Sequence, residues 1–152
     1  MRHGLKDNIN LPYLNLPIEE ARNLLWDKWR LAFKWVFENE IENFDYILRA
    51  DDNTYIIMEN LKAFLSPYNP NDAFIFGSTF KHFVKTGYPS GGPGVIFTRE
   101  ALKQFVGGMY NLEMCPEIPS GFEDIGIGEC AEKLNITKID TRDDRVSFFF
   151  QN

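Results

Sequence analysis

The residues most able to do chemistry follow an apolar run in the first third of the chain. Asp51, Asp52 and Asn53 come directly after the strand-like residues 44–48. Two adjacent carboxylates repel each other unless a cation neutralises them, and the oxygens of Asp and Asn suit Mg²⁺, Mn²⁺ or Ca²⁺. The alternative is an exposed turn, because Asp and Asn are common turn residues. The pattern indicates a divalent-metal site or a turn, and both interpretations stay open here.

A glycine-rich segment, residues 86–94, is the second candidate. It reads Thr-Gly-Tyr-Pro-Ser-Gly-Gly-Pro-Gly, and it includes Tyr88, Ser90, Gly91 and Gly92. Glycines remove side chains where a ligand must come close to the backbone or where φ is positive. A tight turn into the next strand explains the segment equally well, since the Lys-Ser/Thr pair of a phosphate loop is missing.

A third stretch combines two acids with a predicted helix start. Ser120 followed by Glu123 is a capping-box pattern, which predicts a helix from there to about residue 134. Asp124 lies in the same first turn, where the helix dipole favours an ionised carboxylate. Such a carboxylate is a general base if it faces a pocket, and otherwise it only stabilises the helix start.

These candidates must be positioned by alternating helices and strands, which predict an α/β fold. We expect a helix from residue 17 to about 39–43 and further helices over residues 58–65, 99–106 and 120–134. Strands are expected over residues 44–48, 73–76 and 95–97, with 82–84 pairing beside 73–76. Pro17 is expected at the first helical position, Thr98 as a cap, and Gly107 and Gly108 as the end of the third helix.

Composition narrows the function classes. The chain has 152 residues and a formal net charge of −6. It has no basic stripe, so a nucleic-acid partner is not expected. It contains no apolar run of 18 residues, and its N-terminal residues lack the apolar core of a signal peptide. The sequence as written therefore predicts a soluble chain without an anchor.

Taken together, these stretches resemble the core 1 β1,3-galactosyltransferases, which are fringe-like inverting glycosyltransferases with the GT-A fold. The matching segments cover about two-thirds of the chain in the family's order: residues 44–55, 59–61, 76–77, 80–81, 84–88, 90–94, 100–102, 123–130 and 140–143. The resemblance implies a partial catalytic domain that lacks the first nucleotide-binding strands. In it, residues 1–16 would be irregular, 17–135 would hold metal, donor and acceptor, and 136–152 would form a C-terminal stretch.

The resemblance also implies an activity. It is the transfer of galactose from UDP-galactose to the 3-hydroxyl of N-acetylgalactosamine on a glycoprotein, with inversion. Asp51, Asp52 and Asn53 would hold Mn²⁺, and Asp124 would be the base. Substrate binding would fall to five residues: Tyr88, Ser90, Gly91, Gly92 and Glu123. Members are type II Golgi membrane proteins with a lumenal catalytic domain. Whether the chain is monomeric or a homo-oligomer stays open.

One departure from the family keeps alternatives open. Asn53 stands where the family usually carries a third Asp, so metal affinity should fall. A non-catalytic or chaperone-like relative is therefore the second hypothesis, and a transferase with another acceptor is the third.

Two further features bear on the compartment. By the resemblance, Cys115 and Cys130 would pair in the Golgi lumen, and such a bridge contributes roughly 3 kcal/mol in the chain-entropy model. Two free thiols are equally consistent with the count alone. Asn135 begins an Asn-Ile-Thr acceptor triplet for glycosylation. His82 is interpreted as a sheet-edge residue rather than a metal ligand.

Overall fold

The computed structural model describes residues 13–115, 122–142 and 150–151. The helices in these ranges are α1 (Leu25–Asn39), α2 (Met58–Leu65), α3 (Arg99–Gly108) and α4 (Glu123–Lys133). The strands are β1 (Tyr46–Arg49), β2 (Tyr55–Ile56), β3 (Phe74–Gly77), β4 (Thr79–Phe80), β5 (Tyr88–Pro89), β6 (Val95–Thr98), β7 (Thr137–Asp140) and β8 (Phe150–Gln151). The predicted α/β class is confirmed.

The main sheet has four strands in the order β1-β6-β3-β7. β6 runs antiparallel to both β1 and β3, whereas β3 and β7 are parallel, so the sheet is mixed. Because β1 and β6 are antiparallel, the end of β1 lies beside the start of β6, with Arg49 opposite Val95. The loop after β1 and the loop before β6 therefore meet at one edge. The two short pairings β2-β8 and β4-β5 lie outside the main sheet.

Helices cover both faces of this sheet because the side chains of β6 alternate between them. Val95 and Phe97 belong to the core shared with α1, α3 and α4. Ile96 belongs to a smaller core on the other face, with Leu61 and Leu65 of α2. These three side chains of β6 are at most 1% exposed. The central strand is thus fixed from both sides, which holds its two flanking loops in place.

Local sequence signals were accurate in two places. The helix predicted over residues 58–65 is α2, with the same bounds. Thr98 caps α3 as predicted, because its Oγ1 accepts a hydrogen bond from the backbone N–H of Ala101 at 3.1 Å. Three predicted strands are present with ends that differ by at most two residues: the apolar runs at 44, 73 and 95 become β1, β3 and β6.

The predicted start of the first helix at Pro17 is wrong. Ala21 is extended, a 3₁₀ turn follows over Arg22–Leu24, and α1 begins at Leu25. None of the residues of that 3₁₀ turn is buried, whereas Trp26 and Phe33 of α1 are. Helices gain most of their stability from packing an apolar face, and that packing begins only at Trp26.

The third helix extends two residues past the predicted end at residue 106: α3 includes Gly107 and ends at Gly108, with Met109 as the cap residue. A Cβ built at Gly108 would overlap the side chain of Leu134. This glycine therefore permits close packing of Leu134 at the end of the helix.

Residues 82–84 are not a strand. β4 pairs instead with β5, and residues 81–87 connect the two. Within this connection Gly87 has φ of +87°, a conformation that glycine adopts without strain, and its N–H donates to Val84 O at 2.8 Å. His82 is exposed in the connection and is not at a sheet edge. β7, which no sequence signal indicated, completes the main sheet beside β3.

Within the described ranges, no helix combines the length and the apolar character needed to cross a bilayer.

Candidate active site

The acidic turn and the glycine-rich loop are joined by a hydrogen bond. Thr54, just after the acidic turn, donates through Oγ1 to the carbonyl oxygen of Gly92 at 2.8 Å. The turn itself is closed by the N–H of Thr54, which donates to Asp51 O at 3.2 Å. The first two sequence candidates therefore form one continuous surface at the end of β1.

Arg49 lies beneath this surface and connects it to α4. Its side chain is only 4% exposed, and its Nη2 lies 2.9 Å from Oε1 of Glu123 and 3.3 Å from Oδ1 of Asp51. Its guanidinium carbon stacks over the ring of Trp29 at 4.5 Å from the centroid, a favourable cation–π geometry. One buried cation thus ties the acidic turn, the α4 start and the α1 core together.

The same guanidinium leaves no room for a side chain at Gly91. A Cβ built at Gly91 would overlap Nη1 of Arg49, so any larger side chain would displace the guanidinium. Within the described structure, Nη1 and Nε of Arg49 are buried and have no hydrogen-bond partner. Buried N–H groups without partners are uncommon and costly, which marks this position as unusual for a purely structural residue.

Sequence reasoning missed both Arg49 and Trp29 as site residues. Trp29 does pack against the core, and it also supports the guanidinium. The available signal was a lone arginine ending an apolar strand directly before two aspartates. A cation in that position is expected to neutralise neighbouring carboxylates.

Glu123 and Asp124 are the first two residues of α4. The capping-box interpretation of Glu123 is wrong, because Phe122 is the cap residue and Glu123 is the first helical residue instead of the third. Its carboxylate binds Arg49, and its side chain is 13% exposed. Ser120 lies outside the described residues. Asp124 is half-buried, and its Oδ1 accepts a hydrogen bond from the N–H of Ile125 at 2.9 Å.

Tyr88 lies against the same face of α4. A Cβ built at Gly128 would overlap Cβ of Tyr88, and Gly128 is one helical turn after Asp124, so both point to the same side. Burial raises the pKa of the Tyr88 phenol, and the negative charge of Asp124 raises it further. Tyr88 is therefore a neutral hydrogen-bonding group beside Asp124 at physiological pH.

The remaining predicted residues take different positions. Ser90 is half-buried, and its N–H donates to Ser78 O at 2.8 Å. Asp52 and Asn53 are exposed at the tip of the acidic turn. Cys115 and Cys130 form a disulfide with a Cα–Cα distance of 4.6 Å, which links the end of the α3 connection to α4.

The donor set of the acidic turn fits a hard divalent cation. Two carboxylates and one amide oxygen are available, and all three side chains are exposed. Across the described ranges, no group of three or more His, Cys, Asp or Glu side chains could hold a metal ion, and the acidic turn itself supplies only two such residues. Mg²⁺-type sites commonly use one or two carboxylates and complete their coordination with water and substrate phosphates. The set present matches that type of site.

A surface groove of about 440 Å³ lies elsewhere, at the start of β1. It is lined by Trp35, Val36, Glu40, Phe44, Tyr46 and Ile47. It shares no residue with the site described above.

Comparison with known proteins points to one class of enzyme. No family model matches the chain. Over 134 residues, 88% of its length, it is 36% identical to glycoprotein-N-acetylgalactosamine 3-beta-galactosyltransferase 1 of Xenopus laevis. The chain is a relative of the β-1,3-glycosyltransferases. It spans 37% of the length of the Xenopus enzyme.

Two more distant glycosyltransferases match in the same way. Human chondroitin sulfate synthase 3 is 27% identical over 84% of the chain, which spans 15% of that protein. Mouse N-acetyllactosaminide beta-1,3-N-acetylglucosaminyltransferase 4 is 22% identical over 81% of the chain, which spans 45% of that protein. The likeness therefore extends to transferases whose names give different sugars and acceptors.

Proposed function

We propose that the chain belongs to an inverting, metal-dependent β-1,3-galactosyltransferase with the GT-A fold. It would move galactose from UDP-galactose to the 3-hydroxyl of N-acetylgalactosamine carried by a glycoprotein. The name of the Xenopus relative supports this donor sugar and this acceptor. Residues 17–135 of the chain would contribute the metal-binding turn and the base to the catalytic domain.

The observation that carries the proposal is the position of Arg49. It contacts both Asp51 and Glu123, the neighbour of Asp124, at 3.3 Å and 2.9 Å. A turn suited to a metal-bound diphosphate and a carboxylate suited to proton abstraction are thus held by one rigid, buried group. A transferase needs both functions at a fixed separation, because donor and acceptor must meet in line.

In the proposed reaction, Asp124 accepts the proton of the acceptor 3-hydroxyl as that oxygen forms its bond to the anomeric carbon of galactose. The bond from that carbon to UDP breaks on the opposite face, and UDP leaves with the electron pair, so the configuration inverts. Asp124 lies in the first turn of α4, where the helix dipole favours a negative charge. Neutral Tyr88 lies beside it as a hydrogen-bonding partner for a sugar hydroxyl.

Asp51, Asp52 and Asn53 would hold Mn²⁺. When bound, such an ion offsets the negative charge that develops on the diphosphate leaving group. Asn53 supplies an oxygen without a charge, and Asp51 is shared with Arg49, so the site is expected to be weak without nucleotide.

Asp124→Asn tests the proposal. The amide retains an oxygen that can accept from the N–H of Ile125, so the start of α4 is preserved. Transfer of galactose to a peptide bearing N-acetylgalactosamine should be lost, while binding of UDP with Mn²⁺ stays the same. Asp72→Asn, an exposed aspartate in the turn before β3, is the matched control and should keep full transfer. Normal turnover by Asp124→Asn would remove this residue from the mechanism.

A non-catalytic relative is the second candidate, and Asn53 is the observation that favours it. Such a protein would bind nucleotide weakly, transfer nothing, and associate with an active transferase. A transferase with another acceptor is the third candidate, in line with the sugars and acceptors in the names of the human and mouse relatives. A panel of UDP-sugars and acceptors assayed with wild-type protein separates the three.

We also place the protein in the Golgi lumen. The paired cysteines suit an oxidising compartment. Asn135 and Thr137 of the glycosylation triplet are both exposed. The test expresses the protein through the secretory pathway and treats it with an endoglycosidase. A mobility shift that is absent in Asn135→Gln would support this placement.

A further inference from the structure

Three aromatic side chains form a row on the surface around β4 and β5. Phe80 is 48% exposed and Phe83 is 63% exposed. Their ring centroids lie 6.2 Å and 6.3 Å from that of Tyr88, with interplanar angles of 30° and 32°. Both phenylalanine rings thus lie beside the Tyr88 ring at a moderate tilt, and we call the three rings the aromatic row.

The segment that carries Phe83 is anchored to the rest of the fold. Val84 is buried next to it. Thr86 donates from its backbone N–H and from its hydroxyl to Oε2 of Glu132 on α4, at 3.1 Å and 2.6 Å. Lys138 of β7 donates to the same hydroxyl. Phe83 is therefore held in an exposed position and does not lie on a free loop end, and exposed apolar clusters of this kind often mark binding surfaces.

The aromatic row is continuous with the proposed catalytic base. Tyr88 packs against Gly128, which lies one helical turn from Asp124 on the same face of α4. In the proposed mechanism the base must contact the acceptor hydroxyl, so a surface that adjoins Asp124 lies where the acceptor has to bind. The donor diphosphate, in contrast, would be held by the acidic turn.

We infer that the aromatic row of Phe80, Phe83 and Tyr88 binds the acceptor by stacking on the apolar face of its sugar ring. The faces of aromatic rings carry negative charge density, which attracts the weakly positive C–H groups of a pyranose ring. Stacking of this kind leaves the sugar hydroxyls at the edge, where Tyr88 and Asp124 can reach them. This inference rests on the proposed function for the identity of the acceptor.

The test measures binding of methyl α-N-acetylgalactosaminide and of a glycopeptide by NMR titration of the full chain. Phe83→Ala and Phe80→Ala should each weaken binding about tenfold. Phe83→Trp should restore it, because it keeps a ring face. The KM for UDP-galactose should stay unchanged in all variants, and the acceptor KM should rise in the alanine variants.

Phe44→Ala is the matched control, since Phe44 is 52% exposed, precedes the start of β1 and is not part of the aromatic row. It should bind the sugar like wild type. Equal binding by wild type and both alanine variants, or an equal loss in Phe44→Ala, would overturn the inference, as would absence of sugar binding by wild type. Binding that depends on Phe83 without any transfer would contradict the proposed function and leave the aromatic row intact.

Discussion

Nη2 of Arg49 and Oε1 of Glu123 lie 2.9 Å apart, although 74 positions separate the two residues in the chain. Both side chains are largely buried, with 4% and 13% exposure. The ion pair joins the end of β1 to the first residue of α4, and Asp51 shares the same guanidinium nitrogen. This ion pair therefore contributes directly to the relative position of the acidic turn and the candidate base.

Arg49→Gln should lower the free energy of unfolding by about 3–5 kcal/mol, because removing one partner leaves the buried Glu123 carboxylate uncompensated. Urea denaturation measures it. Lys28→Gln is the control: Lys28 and Glu20 are also 2.9 Å apart but are 32% and 46% exposed, so the loss should stay below about 1 kcal/mol. Equal losses in the two variants would mean that the buried pair has no special role.

Gly91→Ala and Gly92→Ala form a matched pair within one loop. A Cβ at Gly91 would overlap the guanidinium of Arg49, whereas a Cβ at Gly92 would meet nothing within 4 Å. We expect Gly91→Ala to destabilise the fold by about 1–3 kcal/mol, as overpacking does, and Gly92→Ala to change stability little. Thermal denaturation followed by circular dichroism compares them. A Gly92→Ala variant that is the less stable of the two would contradict the packing described here.

Asn53→Asp should raise the affinity for Mn²⁺ by about tenfold, because it adds a third carboxylate to the acidic turn. Electron paramagnetic resonance titration of free Mn²⁺ measures this without any assay of transfer. Asn60→Asp, on the exposed face of α2, adds the same charge away from the turn and should leave the affinity unchanged. If Asn53→Asp folds and binds Mn²⁺ no better than wild type, the turn is not a metal site.

Reduction of the Cys115–Cys130 disulfide should lower the free energy of unfolding by roughly 3 kcal/mol, the value for a closed loop of about 15 residues. The bridge anchors α4, which carries Glu123 and Asp124. A Cys115→Ser/Cys130→Ser variant should therefore be less stable in urea and insensitive to dithiothreitol. A wild-type protein whose unfolding midpoint is unaffected by dithiothreitol would contradict the bridge.

Acid should weaken the anchor of the aromatic row. Hydrogen bonds from the hydroxyl and N–H of Thr86 lower the pKa of Glu132 below its ordinary value of 4.5. A carboxylate with a lowered pKa in the folded state stabilises the fold above its unfolded pKa, and this contribution is lost as pH falls through the folded pKa. Thr86→Val, which removes the hydroxyl bond, should raise the Glu132 pKa in a ¹³C NMR titration. An unchanged pKa would mean that this bond is not formed.

Some features of the fold can be predicted from the sequence because the interactions that determine them are local. The apolar pattern and the Ser66-Pro67 pair predict both ends of α2 correctly. The hydroxyl of Thr98 needs only the N–H three positions later to start α3. The acidic turn and the first turn of α4 were likewise visible as short motifs. Sequence likeness to a β-1,3-galactosyltransferase follows from the order of such motifs.

Only the tertiary structure decided which groups meet. Three contacts each join residues 40 or more positions apart: Arg49 with Glu123, Arg49 with Gly91, and Tyr88 with Gly128. β7 joins the sheet by pairing with the edge of β3. Gly108 is required for packing because the side chain of Leu134 lies against it. A local sequence pattern does not identify such partners, since long-range contacts depend on how whole elements pack against one another.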